Sequence, residues 1–570
     1  MSSIEEQIAQ LEAAMGVQEM LRPALGDQAV DAVVARLKAQ VKFLREPARA
    51  HTLGGQLDQL AAAELVSLVD SEQELTYIFK HALTQEAAYS SLLRTELIAI
   101  HKRVAQCYEM LYAESLDDFA PVLAHHYGEA GDDAKAVEHS IKAAESAARI
   151  FAYPEASLHY SRALDAFKRL PDTPELRSRR VDTIARYVEL AWGASVPEQQ
   201  LVMLAEAERL TLSMPGADGA PGDPLRLARI RTMMAAMHLA RNEYRDVVRL
   251  ARPVLELAHM LGDNRLVITP AAQLGAVMVL QGHFSAAVPY LGQALELLEE
   301  NTDRWEWAWC VGFVAISLAM RGEVSAGLAE ARRGLARMEA TNNHVGTATS
   351  LAYLLAVCLE LGDMTRLLEE SRRAIQVAST SGAALYVSVG LDFQALALSR
   401  LGRHQEAHGR MTESRAMAAR IGGQYMMSDW LSAAHAEIAY NAGEFQDALT
   451  RAEQAVALAQ SFEGDFAQGW AQRVWGQALH ALDPSRWAEA EVHLGESLRL
   501  LQACDARLEA AQTHDAWGRL RRALADEDGA QAHFAEAAAQ FEASGVVTGR
   551  GIHMPKTSYE PQPPHGCTGS

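Results

Sequence analysis

The residues of this 570-residue chain whose types could do chemistry are its histidines and carboxylates, and their spacing decides what they offer. His125 and His126 are adjacent, and His81 precedes them. Neighbouring imidazoles are where a zinc site or a general base is first sought, yet neither His-Glu-x-x-His nor a clustered Cys/His spacing accompanies them. They read as packed or surface histidines. His553 and His565 fall in the terminal segment and read as adventitious metal binders at most. No Gly-x-Ser-x-Gly elbow is present, and the serines and aspartates have no identifiable base partner. Glu299-Glu300 and Glu369-Glu370 are sequence neighbours, so on a helix they do not face each other across a site. No Gly-x-x-x-x-Gly-Lys-Ser/Thr occurs either, so there is no loop of that kind to cradle phosphates. The sequence assigns no catalytic, cofactor-binding or metal-binding residue, and a protein without enzymatic activity of its own is expected.

Any site must be positioned by elements that the middle of the chain writes repeatedly. Leu280-Gln-Gly-His-Phe-Ser-Ala-Ala, Met320-Arg-Gly-Glu-Val-Ser-Ala-Gly, Glu360-Leu-Gly-Asp-Met-Thr-Arg-Leu, Arg400-Leu-Gly-Arg-His-Gln-Glu-Ala and Asn441-Ala-Gly-Glu-Phe-Gln-Asp-Ala are variants of one phrase. Their glycines, Gly282, Gly322, Gly362, Gly402 and Gly443, stand 40, 40, 40 and 41 residues apart, a period that belongs to solenoids. Residues 304–321 form one helical pattern and the segment after Gly322 the next. Each Gly therefore falls at a turn that needs positive φ or close backbone approach. Two positions past each Gly stand Phe284, Val324, Met364, His404 and Phe445, mostly apolar. Five past it stand Ala287, Gly327, Leu367, Ala407 and Ala448, and twelve past it Ala294, Gly334, Ala374, Ser414 and Ala455, mostly small. Such a stripe lets adjacent helices approach closely, and a lone repeat cannot bury it, so repeats must stack.

Gly-x-aromatic-x-x-Ala followed by small residues resembles the second helix of a tetratricopeptide repeat. The long period is similar to the maltose-regulator type of bacterial signalling protein. Leu367 at a small position and His404 at an apolar one depart from the pattern. The resemblance implies an all-α, right-handed superhelical solenoid of helical hairpins whose first helices line a concave face that binds a protein or peptide. On that expectation Trp305 and Trp309, sharing one face with Trp307 turned away, and Tyr386, Tyr425, Trp430 and Trp470 in later first helices are the candidate partner-binding floor. Burial as inter-helix core is the competing reading of these aromatics.

Residues 1–48 read as a helical leader pair (4–20 and 26–44), parted by Pro23 and Gly26. Residues 49–80 read as a helix at 57–64 and strands at 65–69 and 75–79, with Leu75, Tyr77 and Phe79 alternating. A helix before a hairpin is what the end of a winged-helix domain looks like. Phe79-Lys-His-Ala-Leu-Thr-Gln-Glu-Ala-Ala-Tyr89, Leu123-Ala-His-His-Tyr127 and Gly131-Asp-Asp-Ala-Lys-Ala-Val137 resemble the junction between ATPase module and repeats in signal-transduction ATPases, including those fused to class III nucleotide cyclases. The resemblance implies a regulator whose catalytic centre is missing, so ATPase or cyclase activity is not carried over. Hinge helices and degenerate repeats fill 81–214, with Asp172 or Thr173 capping a helix at 175–193 and another helix at 198–213. After the Pro/Gly-rich loop 215–224 the solenoid runs over 225–545, and 546–570 is expected to be disordered.

Hydrophobic content of 49% with aromatics at 6% suits Ala- and Leu-rich helices. A formal charge of −21 opposes nucleic acid as the principal partner and favours a basic or amphipathic protein segment. Arg226, Arg229, Arg231, Arg241, Arg245, Arg249 and Arg252 are the densest basic run and read as a solvated helix face. Five scattered cysteines without CxxC suit reduced thiols and a cytoplasmic setting. The start, Met-Ser-Ser-Ile-Glu-Glu, lacks a signal-peptide core. The apolar run 308–320 is too short for a bilayer, so no membrane partner is expected. Exposed end helices leave room for a homodimer.

Overall fold

The structure is a computed structural model and describes residues 4–20, 53–69, 76–150, 152–190, 197–216, 222–298, 305–421 and 426–546, with scattered residues from 22 to 41. Its contacts divide the chain into two compact units, Met1–His139 and Ser140–Ser570.

The first unit opens with helix Ile4–Met20. The second expected leader helix lies largely outside the described residues. Helix Leu53–Ala62 then leads into an antiparallel hairpin in which Val66 faces Phe79 and Val69 faces Thr76. Tyr77 donates to Asp58 Oδ1 at 3.1 Å and ties the hairpin to that helix. The expected alternation holds only in part. Tyr77 is half-buried but Phe79 is exposed, because two strands alone have little to cover a second face. Helices Ala82–Ser90, Arg94–Leu111 and Ala120–Glu129 follow.

The second unit is an all-α solenoid of tetratricopeptide type. Helices Pro174–Leu190 and Pro197–Leu212 stand where expected. Thr173 caps the first through the Leu176 amide at 3.3 Å, while Asp172 pairs with Arg177 instead. From helix Asn264–Gln281 onward, inner and outer helices alternate. All five periodic glycines lie at bends with φ between +76° and +96°. The stripe of small residues is interior: Ala287, Ala407 and Ala448 are fully buried, and so is the larger Leu367.

Inner helices Trp305–Met320 and His344–Leu361 are apolar nearly all round and are buried on nearly every side. Helix His344–Leu361 is long and apolar enough to cross a bilayer. Its residues are 78% buried inside the solenoid, and it serves as a core helix.

The open concave groove is corrected. Helix Asn264–Gln281 touches helix Asp465–Leu482, and helix Trp305–Met320 touches helix Arg507–Ala523. The superhelix therefore closes on itself between repeats five hairpins apart. Phe284 packs edge-on to Phe466 at 5.5 Å and to Trp430 at 6.3 Å. Arg245 pairs with Glu463, and Arg321 with Asp505, across the same seam. Apolar inner faces left facing water would be costly, and contact between successive turns removes that surface.

Gly282 carries two demands: φ of +96°, and a site where a Cβ would lie 2.8 Å from Phe466 Cβ and 2.9 Å from Cys504 Sγ. Gly402 carries only the first, at +77°, with nothing within 4 Å. A Cβ in the left-handed region costs about 1–2 kcal/mol, and overpacking adds about 1–3 kcal/mol. Gly282→Ala is therefore expected to lower the urea midpoint clearly more than Gly402→Ala. Equal losses would contradict the closed seam.

Candidate functional site

The inner wall of the solenoid carries a ladder of charges. Glu360, Arg400, Glu437, Arg473 and Glu509 are 40, 37, 36 and 36 residues apart. They come from five consecutive inner helices, the last four being Ala384–Arg400, Ser428–Asn441, Asp465–Leu482 and Arg507–Ala523. Their signs alternate. Arg400 donates from Nε to Glu437 Oε1 at 2.7 Å and from Nη2 to Oε2 at 3.2 Å. Trp470 Nε1 donates to Glu437 Oε2 at 2.7 Å, and Arg473 Nη2 reaches the same oxygen at 3.4 Å. Arg473 then pairs with the Glu509 carboxylate and donates to its main-chain oxygen at 3.2 Å. Gln512 Nε2 donates to Glu509 Oε1 at 2.8 Å.

The ladder is sealed: Arg473 is 3% exposed and Glu509 1%. Burial alone would raise the Glu437 carboxyl, but the guanidiniums of Arg400 and Arg473 outweigh it and hold the group down at about 2. Glu360 goes the other way. Burial, with the charge of Glu509 added, pushes its carboxyl well above the carboxylate range against the pull of Arg400 and Arg473. Its Oε2 has no hydrogen-bond partner. Beside the ladder, Met320, Phe393, Met427, Trp430, Phe466 and Trp470 help enclose a cavity of about 10 Å³, room for about one water.

Of the expected floor aromatics, three are interior. Trp309 is 7% exposed and packs on Phe313. Trp430 donates to the Leu280 carbonyl at 3.0 Å across the seam, and Trp470 belongs to the ladder. Tyr386 is half-buried against a cluster of Ala348, Ala378, Val387 and Leu391. The Trp305 side chain and Tyr425 lie outside the described residues. Trp307, read as turned away, is buried under the Arg333 guanidinium, because neighbouring helices cover every face of its helix. The sequence reading missed the ladder. Its signal was a charged residue recurring about once per period, alternately Glu and Arg, among the apolar positions of the inner helices.

Most of the basic run is taken up in ion pairs. Arg226 pairs with Asp182, Arg229 with Glu189, Arg231 with Glu208 and Arg249 with Asp246. A more open groove of about 320 Å³ lies instead between outer helices Met364–Thr380 and His404–Arg420, bordered by Leu368, Arg372, Ile375, Gln394, Arg403 and Arg410.

No protein-family model matches the chain, and no curated protein does. Among solved structures it resembles a Rap protein complexed with competence and sporulation factor, at 14% identity and TM-score 0.47 over 65% of this chain and 99% of that one. It also resembles the Cut9–Hcn1 hetero-tetramer of the APC/C, at 13% identity and TM-score 0.35 over 82% and 98%. A third likeness is to a signal-transduction ATPase with numerous domains and a tetratricopeptide repeat sensor from Pyrococcus horikoshii, at 12% identity and TM-score 0.36 over 93% and 72%. At these identities and scores the likenesses carry no more than the helical-repeat architecture that the helix order already displays.

Proposed function

We propose that this chain is a non-catalytic regulatory solenoid of the maltose-regulator kind that binds a protein or peptide segment on its inner face. The observation that carries this reading is the alternating ladder. A solenoid core needs no ions, and buried charges are expensive to desolvate, so an apolar wall would hold the repeats at least as well. A wall bearing Arg and Glu in alternation suits a lumen that exchanges its own pairs for those of a bound segment. Binding then requires the seam to part. Its outermost links, Arg245–Glu463 and Arg321–Asp505, are solvent-accessible pairs of small worth, so partner binding should also depend on salt.

A second reading, docking of residues 56–130 onto a separate catalytic chain, is favoured by Leu83, Leu93, Ile100 and Met110, which are 77%, 55%, 43% and 73% exposed. Recovery of one partner by three full-length variants separates the readings. Loss of that partner in Arg473→Met/Glu509→Met, with helicity retained, supports the inner face. Loss only in Leu83→Asp/Leu93→Asp supports docking. Loss only in Arg372→Ala/Arg403→Ala/Arg410→Ala moves the site to the outer groove and overturns the proposal.

A further inference from the structure

The first unit brings together histidines that the sequence keeps apart. His125 and His126 sit on helix Ala120–Glu129, and His101 sits on helix Arg94–Leu111 packed against it. Their ring centres form a nearly equilateral triangle: 5.0 Å for His101–His126, 5.5 Å for His101–His125 and 5.2 Å for His125–His126. One nitrogen from each ring lies within 4.8 Å of one from the other two. Imidazoles that bind zinc through nitrogens at about 2.0–2.1 Å in tetrahedral directions place their ring centres roughly 5 Å apart. The side chains therefore already stand at the separation such an ion needs.

We propose that His101, His125 and His126 form a binding site for a divalent transition-metal ion of the zinc class, with the fourth position open to water. His101 Nδ1 and His126 Nδ1 are 2.8 Å apart, a hydrogen-bond distance at which one of the two carries the proton. An entering ion takes the His126 tautomer that carries its proton on Nε2, the proton passing from Nδ1 to Nε2 by exchange with water so that the ring stays neutral, and the two Nδ1 atoms then separate by roughly half an ångström to fit the zinc–nitrogen lengths. Tyr89 Oη lies 3.0 Å from His101 Nε2. With Nε2–H donating to that oxygen, Nδ1 is left unprotonated and aimed at the ion, the positioning contact that ligand histidines generally have.

Burial, followed by the neighbouring His125, pushes the His101 imidazole below its usual range. Burial, followed by His101 and His125, does the same for His126. The Glu129 carboxylate opposes that shift at both rings. Among the described residues a second grouping of potential ligands, His238, Glu243 and Asp246, is already consumed. His238 Nδ1 holds Glu243 at 2.6 Å, Arg241 holds the other Glu243 oxygen, and Arg249 holds Asp246.

The test titrates tag-free full-length protein with Zn²⁺ against a chromophoric chelator, and with Co²⁺ followed by its visible ligand-field bands. One equivalent is expected to bind and to give the intense bands of a four-coordinate site. His125→Ala, at an exposed position that tolerates change, should remove the bands and weaken Zn²⁺ at least about tenfold. Tyr89→Phe should weaken it about 10- to 100-fold, and His238→Ala should leave it unchanged. Zn²⁺ should also raise the thermal midpoint of wild type but not of His125→Ala. Six-coordinate cobalt spectra, binding that His125→Ala and His126→Ala leave intact, or loss in His238→Ala would each overturn the assignment.

Discussion

Replacing Glu437 by glutamine is expected to cost about 3–5 kcal/mol, the penalty for breaking a buried ion pair from one side. Glu437 is the centre of the ladder, taking two hydrogen bonds from Arg400, one from Trp470 and one from Arg473. Glutamine keeps one acceptor oxygen and turns an NH₂ toward groups that can only donate, leaving Arg400 without its counter-charge and Arg473 with Glu509 alone. The sign with pH follows from the depressed carboxyl. Its contribution is present above the ordinary glutamate range and is lost as pH falls through about 2. The difference between wild type and variant should therefore persist from pH 5 to pH 8 and shrink only in strong acid. Glu406→Gln, which breaks the exposed Arg403–Glu406 pair, should cost less than about 1 kcal/mol. Urea midpoints of the two variants measured together settle the matter, and comparable losses would mean that the ladder is wet.

Asp429 should make the solenoid less stable as pH rises. The residue is fully buried, and neither carboxyl oxygen finds a side-chain donor. Burial pushes its carboxyl up to about 7 against the smaller pull of the backbone amides of Asp429 and Trp430. A raised acid contributes stability that is complete below the ordinary aspartate range and is lost as pH rises through about 7. At about 1.4 kcal/mol per unit, that is about 3 kcal/mol between pH 5 and pH 8. Asp429→Asn removes the titration, so its unfolding midpoint should vary less over that interval and exceed that of wild type at pH 8. Parallel pH profiles would show that Asp429 is not the group responsible. Its neighbour Trp430 bonds the Leu280 carbonyl, so ionisation acts directly on the element that holds the superhelical seam.

Local structure was legible in the sequence because it depends on short-range rules. Gly282, Gly322, Gly362, Gly402 and Gly443 take the positive φ that their spacing implied. The helix expected at 304–321 runs from Trp305 to Met320. The expected strands appear at Val66–Val69 and Thr76–Phe79. The tail beyond residue 546 lies outside the described residues. The aromatic floor was misjudged for a particular reason. Assigning Trp309, Trp430 and Trp470 to first helices was sound, but whether that face is open depends on superhelical closure, which adds small rotations over several repeats and leaves no mark on any one of them.

By itself, then, the sequence determined the period, the helical hairpins, their bends and the stripe of small residues, all of which follow from backbone sterics and side-chain volume within about one repeat. Only the tertiary structure decided that Phe284 meets Phe466, that charges from five inner helices line up as a ladder, and that His101 joins His125 and His126. Each of those depends on the angle at which one packed helix passes another. That angle is set by the sum of many contacts and not by the residues at any single position.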